Sequence, residues 1–120
     1  MRKLSTHVLD TAHGCPAAGM SWTLHRQSAD AGQAPEWLAG GVTNADGRTD
    51  GPLLVEQALL PGVYTLIFQA GNYFRARGVP LSEPPFVDEV VLQFGIAAGD
   101  LSYHVPLLVS PWSWSSYRGS

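Results

Sequence analysis

The chain has 120 residues, 45% of them hydrophobic and 14% charged, and its formal net charge at pH 7 is −3. This length accommodates one compact domain, residues 1–120, and is too short for two. The mixed, slightly acidic charge argues against a nucleic-acid or anionic-membrane partner. The charge density is low for a small monomer, which indicates that another subunit covers part of the surface.

The N-terminal segment carries two basic residues, Arg2 and Lys3, without a long apolar run behind them. This pattern argues against a signal peptide, and no stretch approaches the roughly 18 consecutive apolar residues of a membrane span. We therefore expect a soluble protein of the cytoplasm. Cys15 is the single cysteine of the sequence, which excludes an intrachain disulfide and a cysteine-based metal cluster.

Short apolar runs separated by turns that contain glycine and proline predict strands along most of the chain. In chain order, we predict strands over residues 4–9, 20–24, 36–43, 53–55, 62–68, 87–96, 101–109 and 113–117. Every second residue from Val90 to Ile96 is apolar, which is typical of a strand with one buried face.

One segment, residues 69–77, predicts a helix instead. It lacks β-branched residues, and Gly78 and Pro80 follow it in the order that commonly ends a helix. Eight short strands and one short helix in a single domain predict an all-β fold. We expect a two-sheet antiparallel sandwich.

The four histidines fall into two groups. His13 lies in a turn and His25 near a strand end, so we interpret both as solvated surface residues. His7 and His104 each lie inside an apolar, strand-like run. Such a histidine is either a hydrogen-bonded core or interface residue or a catalytic group that titrates near neutral pH.

Arg48 is a third candidate because it follows the turn at residues 44–47. It is either a solvated charge or, aimed into a cleft, a guanidinium that binds a carbonyl or a developing oxyanion. The sequence contains no Gly-x-Ser-x-Gly, His-Glu-x-x-His or phosphate-loop motif. Two strand histidines could bind zinc, but no carboxylate or cysteine completes an evident ligand set, so we expect no metal site.

The C-terminal segment is rich in large side chains: Trp112, Trp114, Tyr117 and Arg118 follow directly after an apolar run. Chain ends are usually small, polar and poorly ordered. Large aromatic rings at such a place gain little unless they pack or bind something. We therefore predict an ordered strand whose last residues lie at a working site.

Four segments together resemble the transthyretin-related family. They are residues 4–17 (LSTHVLDTAHGCPA), residues 43–54 (TNADGR followed by PLL), residues 73–80 (YF and RGVP) and residues 103–120 (YHVPLLVSPW and the terminal YRGS). The terminal Tyr-Arg-Gly-Ser is similar to that of the 5-hydroxyisourate hydrolases and distinguishes them from the hormone-carrying transthyretins. One departure is Trp114, where the family more often has tyrosine.

The resemblance implies a transthyretin-like sandwich of two four-stranded sheets. It also implies a homotetramer, a dimer of dimers, with active sites at the dimer–dimer interface. The implied reaction is cofactor-free hydrolysis of 5-hydroxyisourate, the product of urate oxidation, to 2-oxo-4-hydroxy-4-carboxy-5-ureidoimidazoline. The implied catalytic residues are His7, Arg48, His104 and Ser120. The implied substrate-binding residues are His7, Arg48, Tyr117, Arg118 and Gly119.

For this reaction our hypothesis makes His104 or His7 the general base, and the choice between them stays open. Arg48 would lower the pKa of the neighbouring histidine by like-charge repulsion and bind the substrate's carbonyl oxygens. Arg118 either contacts substrate or anchors the tail. Two rival functions remain: a binding protein that carries a small aromatic ligand in an apolar channel without catalysis, and a purely structural interaction domain.

Overall fold

The computed structural model describes residues 2–30, 32–99 and 101–119. Within these residues it contains nine strands, one 3-10 helix and one α-helix. The elements are β1 (Lys3–Asp10), β2 (Cys15–Pro16), β3 (Ser21–Arg26), β4 (Glu36–Val42), β5 (Leu54–Val55), the 3-10 helix (Glu56–Ala58), β6 (Gly62–Gln69), α1 (Ala70–Ala76), β7 (Glu89–Ile96), β8 (Tyr103–Val109) and β9 (Trp114–Ser116). In this part of the chain no helix is long and apolar enough to cross a membrane.

The strands form two sheets, so the predicted all-β sandwich is confirmed. The first sheet has the order β2-β1-β8-β9, with β5 also pairing with β1, and the second sheet has the order β4-β3-β6-β7. The structure differs from the prediction in two details. Among the described residues there are nine strands rather than eight, because the two-residue β2 is too short to show alternation. In addition, β1 and β8 are parallel, from Leu4 opposite Tyr103 to Asp10 opposite Val109.

The core lies between the two sheets because each strand alternates buried and outward-facing residues. In β1 the even-numbered residues Leu4 to Asp10 are buried, and the odd-numbered ones are at least partly exposed. The second sheet contributes Tyr64, Leu66 and Phe68 from β6, all fully buried. This alternation leaves the polar odd-numbered residues of β1 on the outer face of the first sheet.

The predicted short helix is also confirmed, one residue shorter at each end. Its Tyr73 and Phe74 are buried against the core. The chain then leaves the helix through Gly78, whose φ of +79° is readily adopted only by glycine. The amide of Gly78 donates to the carbonyl of Arg75 at 3.0 Å, and that of Val79 donates to Phe74 at 3.1 Å. These two bonds form the Schellman motif that the Gly-x-Pro pattern predicts.

A buried carboxylate, Asp10, joins this helix to the end of β1. Its Oδ2 accepts a hydrogen bond from the Tyr73 hydroxyl at 2.8 Å and lies 2.6 Å from Nδ1 of His13. The Arg77 guanidinium approaches to 3.8 Å. Burial raises the pKa of Asp10, but the bonds from Tyr73 and His13 outweigh it and hold the pKa below its ordinary value. His13 is exposed, as predicted, but it is tied to this carboxylate.

Candidate active site

The pairing of β1 with β8 brings His104 beside a serine. Ser5 is the direct register partner of His104, while His7 lies opposite Pro106. Ser5, His7 and His104 are each half-buried on the outer face of the first sheet. Ser5 Oγ lies 2.8 Å from Nδ1 of His104. Two residues that the sequence analysis placed in separate candidate runs, His7 and His104, therefore share one face.

Arg48 reaches the same strand through a tight turn. The Asn44 side chain accepts hydrogen bonds from the amides of Asp46 at 2.9 Å and Arg48 at 3.1 Å, which closes the turn. The Gly47 carbonyl accepts from the Val8 amide at 2.8 Å, and Arg48 forms a bridge with His7. At Gly47 φ is +74°, and a Cβ would lie 2.4 Å from the Val8 carbonyl oxygen. Only glycine therefore allows this approach of Arg48 to β1.

The C-terminal segment returns to His104. Strand β9 pairs with β8, and beyond it the Gly119 amide donates to the His104 carbonyl at 2.7 Å. A Cβ on Gly119 would lie 2.8 Å from Cδ2 of His104, so the backbone here lies directly over the imidazole. Ser120, predicted to be catalytic, lies outside the described residues.

A cavity of about 320 Å³ opens beside His104. Its lining residues are Lys3, Ser5, Arg48, Ser102, Tyr103 and His104. The wall thus combines two cations, two serines and one imidazole with part of Tyr103, whose side chain is buried in the core. His7 shares the outer face but is not among the lining residues of this cavity.

Tyr117 and Arg118 lie elsewhere in the single chain. With Trp114 they line a second cavity of about 350 Å³ at the open edge between β7 and β9. The Arg118 guanidinium stacks over the Tyr103 ring, with its Cζ 4.3 Å from the ring centroid. This contact favours the anchoring role for Arg118, since a cation over an aromatic face is stabilised by the ring electrons. Tyr103 is among the lining residues of both cavities.

Electrostatics distinguishes His104 from an ordinary surface histidine. Burial is the largest cause that lowers its pKa, and the positive charge of Arg48 lowers it further, followed by His7 and Lys3. The expected effect of Arg48 on a neighbouring histidine is therefore present at His104. A histidine with a lowered pKa is neutral near pH 7, the state in which it accepts a proton.

Two further residues of this wall, Lys3 and Ser5, were not identified from the sequence. Ser5 lies in the segment at residues 4–17 that carries the family resemblance, but the resemblance assigned it no role, and Lys3 precedes that segment. The period-2 alternation of β1 places residues 3, 5 and 7 on one face, so the choice of His7 already pointed to both. Within residues 2–30, 32–99 and 101–119, no group of three or more His, Cys, Asp or Glu side chains is arranged to hold a metal ion.

Comparison with known proteins gives a consistent result. The sequence matches the model of the HIUase/Transthyretin family over residues 4–119. The 5-hydroxyisourate hydrolase of Pseudomonas aeruginosa is 57% identical over 120 residues, which cover 100% of this chain and 93% of the relative.

Two solved structures show why the fold alone does not settle the function. The 5-hydroxyisourate hydrolase of Klebsiella pneumoniae matches with a TM-score of 0.79 and 35% identity, over 100% of both chains. Transthyretin from Sparus aurata matches with a TM-score of 0.85 and 28% identity, over 99% of this chain and 97% of its own. The predicted transthyretin-like fold is confirmed, and the backbone resembles both proteins closely. Side chains must therefore separate the two functions.

Proposed function

The chain belongs to the HIUase/Transthyretin family, and from this premise we propose that it hydrolyses 5-hydroxyisourate in urate degradation. The observation that carries the proposal is the cavity in which Arg48 lies beside a half-buried His104 of lowered pKa. The alternative, a carrier of small aromatic ligands without catalysis, predicts an apolar wall. The wall around His104 is polar and cationic, which favours catalysis.

Ring opening of the substrate needs three contributions: a base for water, stabilisation of the oxyanion, and a proton for the leaving nitrogen. His104 takes a proton from water as the water oxygen attacks the lactam carbonyl. Arg48 stabilises the negative charge that develops on the carbonyl oxygen. The carbon–nitrogen bond then breaks, and the imidazolium of His104 returns its proton to the ring nitrogen. The products of this step are a carboxylic acid, which loses its remaining proton to solvent to become a carboxylate, and an N–H.

His104 is favoured over His7 as the base because it lines the cavity and because its pKa is lowered. His7 contributes in two ways. Its backbone bridge holds Arg48, and its ring helps to lower the pKa of His104. A substrate-binding role for its imidazole stays a prediction, as does the catalytic role of Ser120.

A homotetramer, arranged as a dimer of dimers with sites at the dimer–dimer interface, completes the proposal. Large apolar side chains are exposed on the single chain, including Phe86 at 80% and Trp112 at 67%. Strands β7 and β9 are edges whose free backbone groups favour pairing with another chain. Tyr117 and Arg118 could then contact substrate bound by a neighbouring subunit. The cytoplasmic location also stays a prediction.

The test of the proposed reaction is an absorbance assay with freshly prepared 5-hydroxyisourate. Hydrolysis by the enzyme should accelerate the loss of the substrate's absorbance over the spontaneous rate. Arg48→Gln should abolish most of this acceleration, because it removes the charge that stabilises the oxyanion. Arg75→Gln is the matched control, since Arg75 lies on α1 and binds Asn72 and Glu83. Equal turnover in wild type and Arg48→Gln would contradict the proposal.

A second test addresses the tail. Deleting residues 117–120 removes the Gly119 contact with His104 and leaves β9 complete. Turnover should be lost while the protein remains folded and oligomeric by size-exclusion chromatography. A truncated protein with full activity would show that the tail has only a structural role.

A further inference from the structure

The contact between Ser5 and His104 uses one of the two imidazole nitrogens. Ser5 Oγ lies 2.8 Å from Nδ1, which is a normal hydrogen-bond distance. Among residues 2–30, 32–99 and 101–119 no hydrogen bond forms at Nε2, so this nitrogen is the one open to water or substrate. In a neutral imidazole one nitrogen carries the proton and the other carries a lone pair. The bond that Nδ1 makes therefore decides what Nε2 offers.

The two residues are held together by the sheet. Ser5 and His104 are register partners in the parallel pairing of β1 and β8. On either side of Ser5, the Thr6 hydroxyl donates to the Val105 carbonyl at 2.6 Å, and the Lys3 amide donates to Ser102 Oγ at 3.1 Å. These cross-strand bonds fix the separation of the backbones, so the Ser5–His104 contact is set by the fold rather than by a mobile side chain.

We propose that Ser5 is a positioning residue that accepts the Nδ1 proton of His104 and so leaves the lone pair of Nε2 facing the cavity. The inference rests on the proposed function, in which His104 takes the proton from water. The reverse arrangement, with Ser5 donating to Nδ1, would place a proton on Nε2 and make His104 unable to act as the base.

The cavity chemistry gives a reason for a hydroxyl at this place. In the serine–histidine–aspartate arrangement a carboxylate sets the tautomer, but its negative charge also favours the protonated imidazole. A serine hydroxyl is neutral, so it sets the tautomer without that electrostatic effect. The charged groups around His104 are Arg48 and Lys3, with His7 beside them. All three disfavour the protonated imidazole and so lower the pKa of His104. The site therefore combines a fixed tautomer with a neutral base.

The direct test is ¹⁵N NMR of the full-length protein with labelled histidine, recorded at pH 8. The wild-type His104 signals should show a protonated Nδ1 and an unprotonated Nε2. Ser5→Ala should increase the Nε2-protonated form, and Ser5→Thr, which keeps the hydroxyl, should retain the wild-type pattern. A protonated Nε2 in the wild-type protein would overturn the inference, and this readout holds even if Ser5→Ala fails to fold. An unchanged tautomer in a folded Ser5→Ala protein would overturn it as well.

The kinetic arm uses the same variants in the absorbance assay. Ser5→Ala should lower kcat by roughly 2- to 15-fold, the range expected for one neutral hydrogen bond, and Ser5→Thr should retain most of the wild-type rate. His104→Asn separates the two proposals. If the His104→Asn variant keeps full turnover, the assignment of His104 as the base fails. The NMR experiment on the wild-type protein still decides which imidazole nitrogen carries the proton.

Discussion

Strand β1 carries a polar cluster at each end, and the histidine in each cluster has different neighbours. At the Asp10 end, His13 binds a buried carboxylate that also accepts from Tyr73. At the Ser5 end, His104 binds a hydroxyl and lies near Arg48. The first cluster joins a turn and a helix, and it pairs a negative charge with donors. The second places an imidazole of lowered pKa beside a cation in an open cavity. The sign of the neighbouring charge thus separates the histidine bound to Asp10 from the one that we propose as the general base.

The largest expected effect comes from removing the imidazole of the cluster at the Ser5 end of β1. His104→Asn should lower kcat by at least roughly a hundredfold, because a positioned general base contributes about 10²–10⁴-fold. His13→Asn is the matched control, since the same substitution at the Asp10 end should leave kcat close to wild type. Both variants are measured by the decay of 5-hydroxyisourate absorbance. Comparable losses in the two variants would remove the distinction between the clusters.

His7→Asn tests the second strand histidine in the same assay. A general-base role would require a loss of at least roughly a hundredfold. Because His7 lies beside the cavity rather than in its wall, we expect a smaller fall in kcat than for His104→Asn. A loss in His7→Asn that exceeds the loss in His104→Asn would reverse the assignment of the base.

The close approach of the tail gives a third, intermediate effect. In Gly119→Ala the new Cβ would meet the His104 ring at 2.8 Å, so either the ring or the tail must move. We expect kcat to fall about tenfold or more, since small displacements of catalytic groups are costly. At Gly51 a Cβ would meet no atom within 4 Å, so Gly51→Ala is the control. Unchanged kinetics in Gly119→Ala would show that the imidazole position does not depend on the tail.

The smallest effect on catalysis is expected at the other cluster. Tyr73→Phe removes a donor from the buried Asp10 carboxylate and should lower the free energy of unfolding by about 1–3 kcal/mol without changing kcat. The lowered pKa of Asp10 sets the pH range over which this carboxylate stabilises the fold. Its stabilisation is complete above the ordinary value of 3.8 and is lost as the pH falls through the lower folded value. Urea unfolding of both proteins should therefore show a difference that shrinks below pH 3.8.

Much of this architecture was predictable because a strand with one buried face has an apolar residue at every second position of the sequence. The alternation from Val90 to Ile96 predicted β7, and the Gly78–Pro80 pattern predicted the end of α1. The parallel pairing of β1 with β8 was not predictable, because alternation is the same in either direction. Long-range register also explains the missed contact: nothing in the sequence alone places Ser5 opposite His104, 99 residues away.

The site was predicted in part. His7, Arg48 and His104 were chosen for their residue types and for the family resemblance, and the structure brings all three to one region of the first sheet. The same family resemblance placed Tyr117 and Arg118 with them, yet in the single chain these two residues line the neighbouring cavity. A sequence motif shows which residues occur together in a family, but it does not show which cavity each residue lines.

The presence of two neighbouring cavities makes one measurement decisive: a crystal structure of the assembled protein with an unreactive purine-like analogue of 5-hydroxyisourate. Our account predicts the analogue beside Arg48, with the carbon that corresponds to the lactam carbonyl close to a water held by Nε2 of His104. An analogue bound only at the Trp114–Arg118 edge, away from His104, would contradict it.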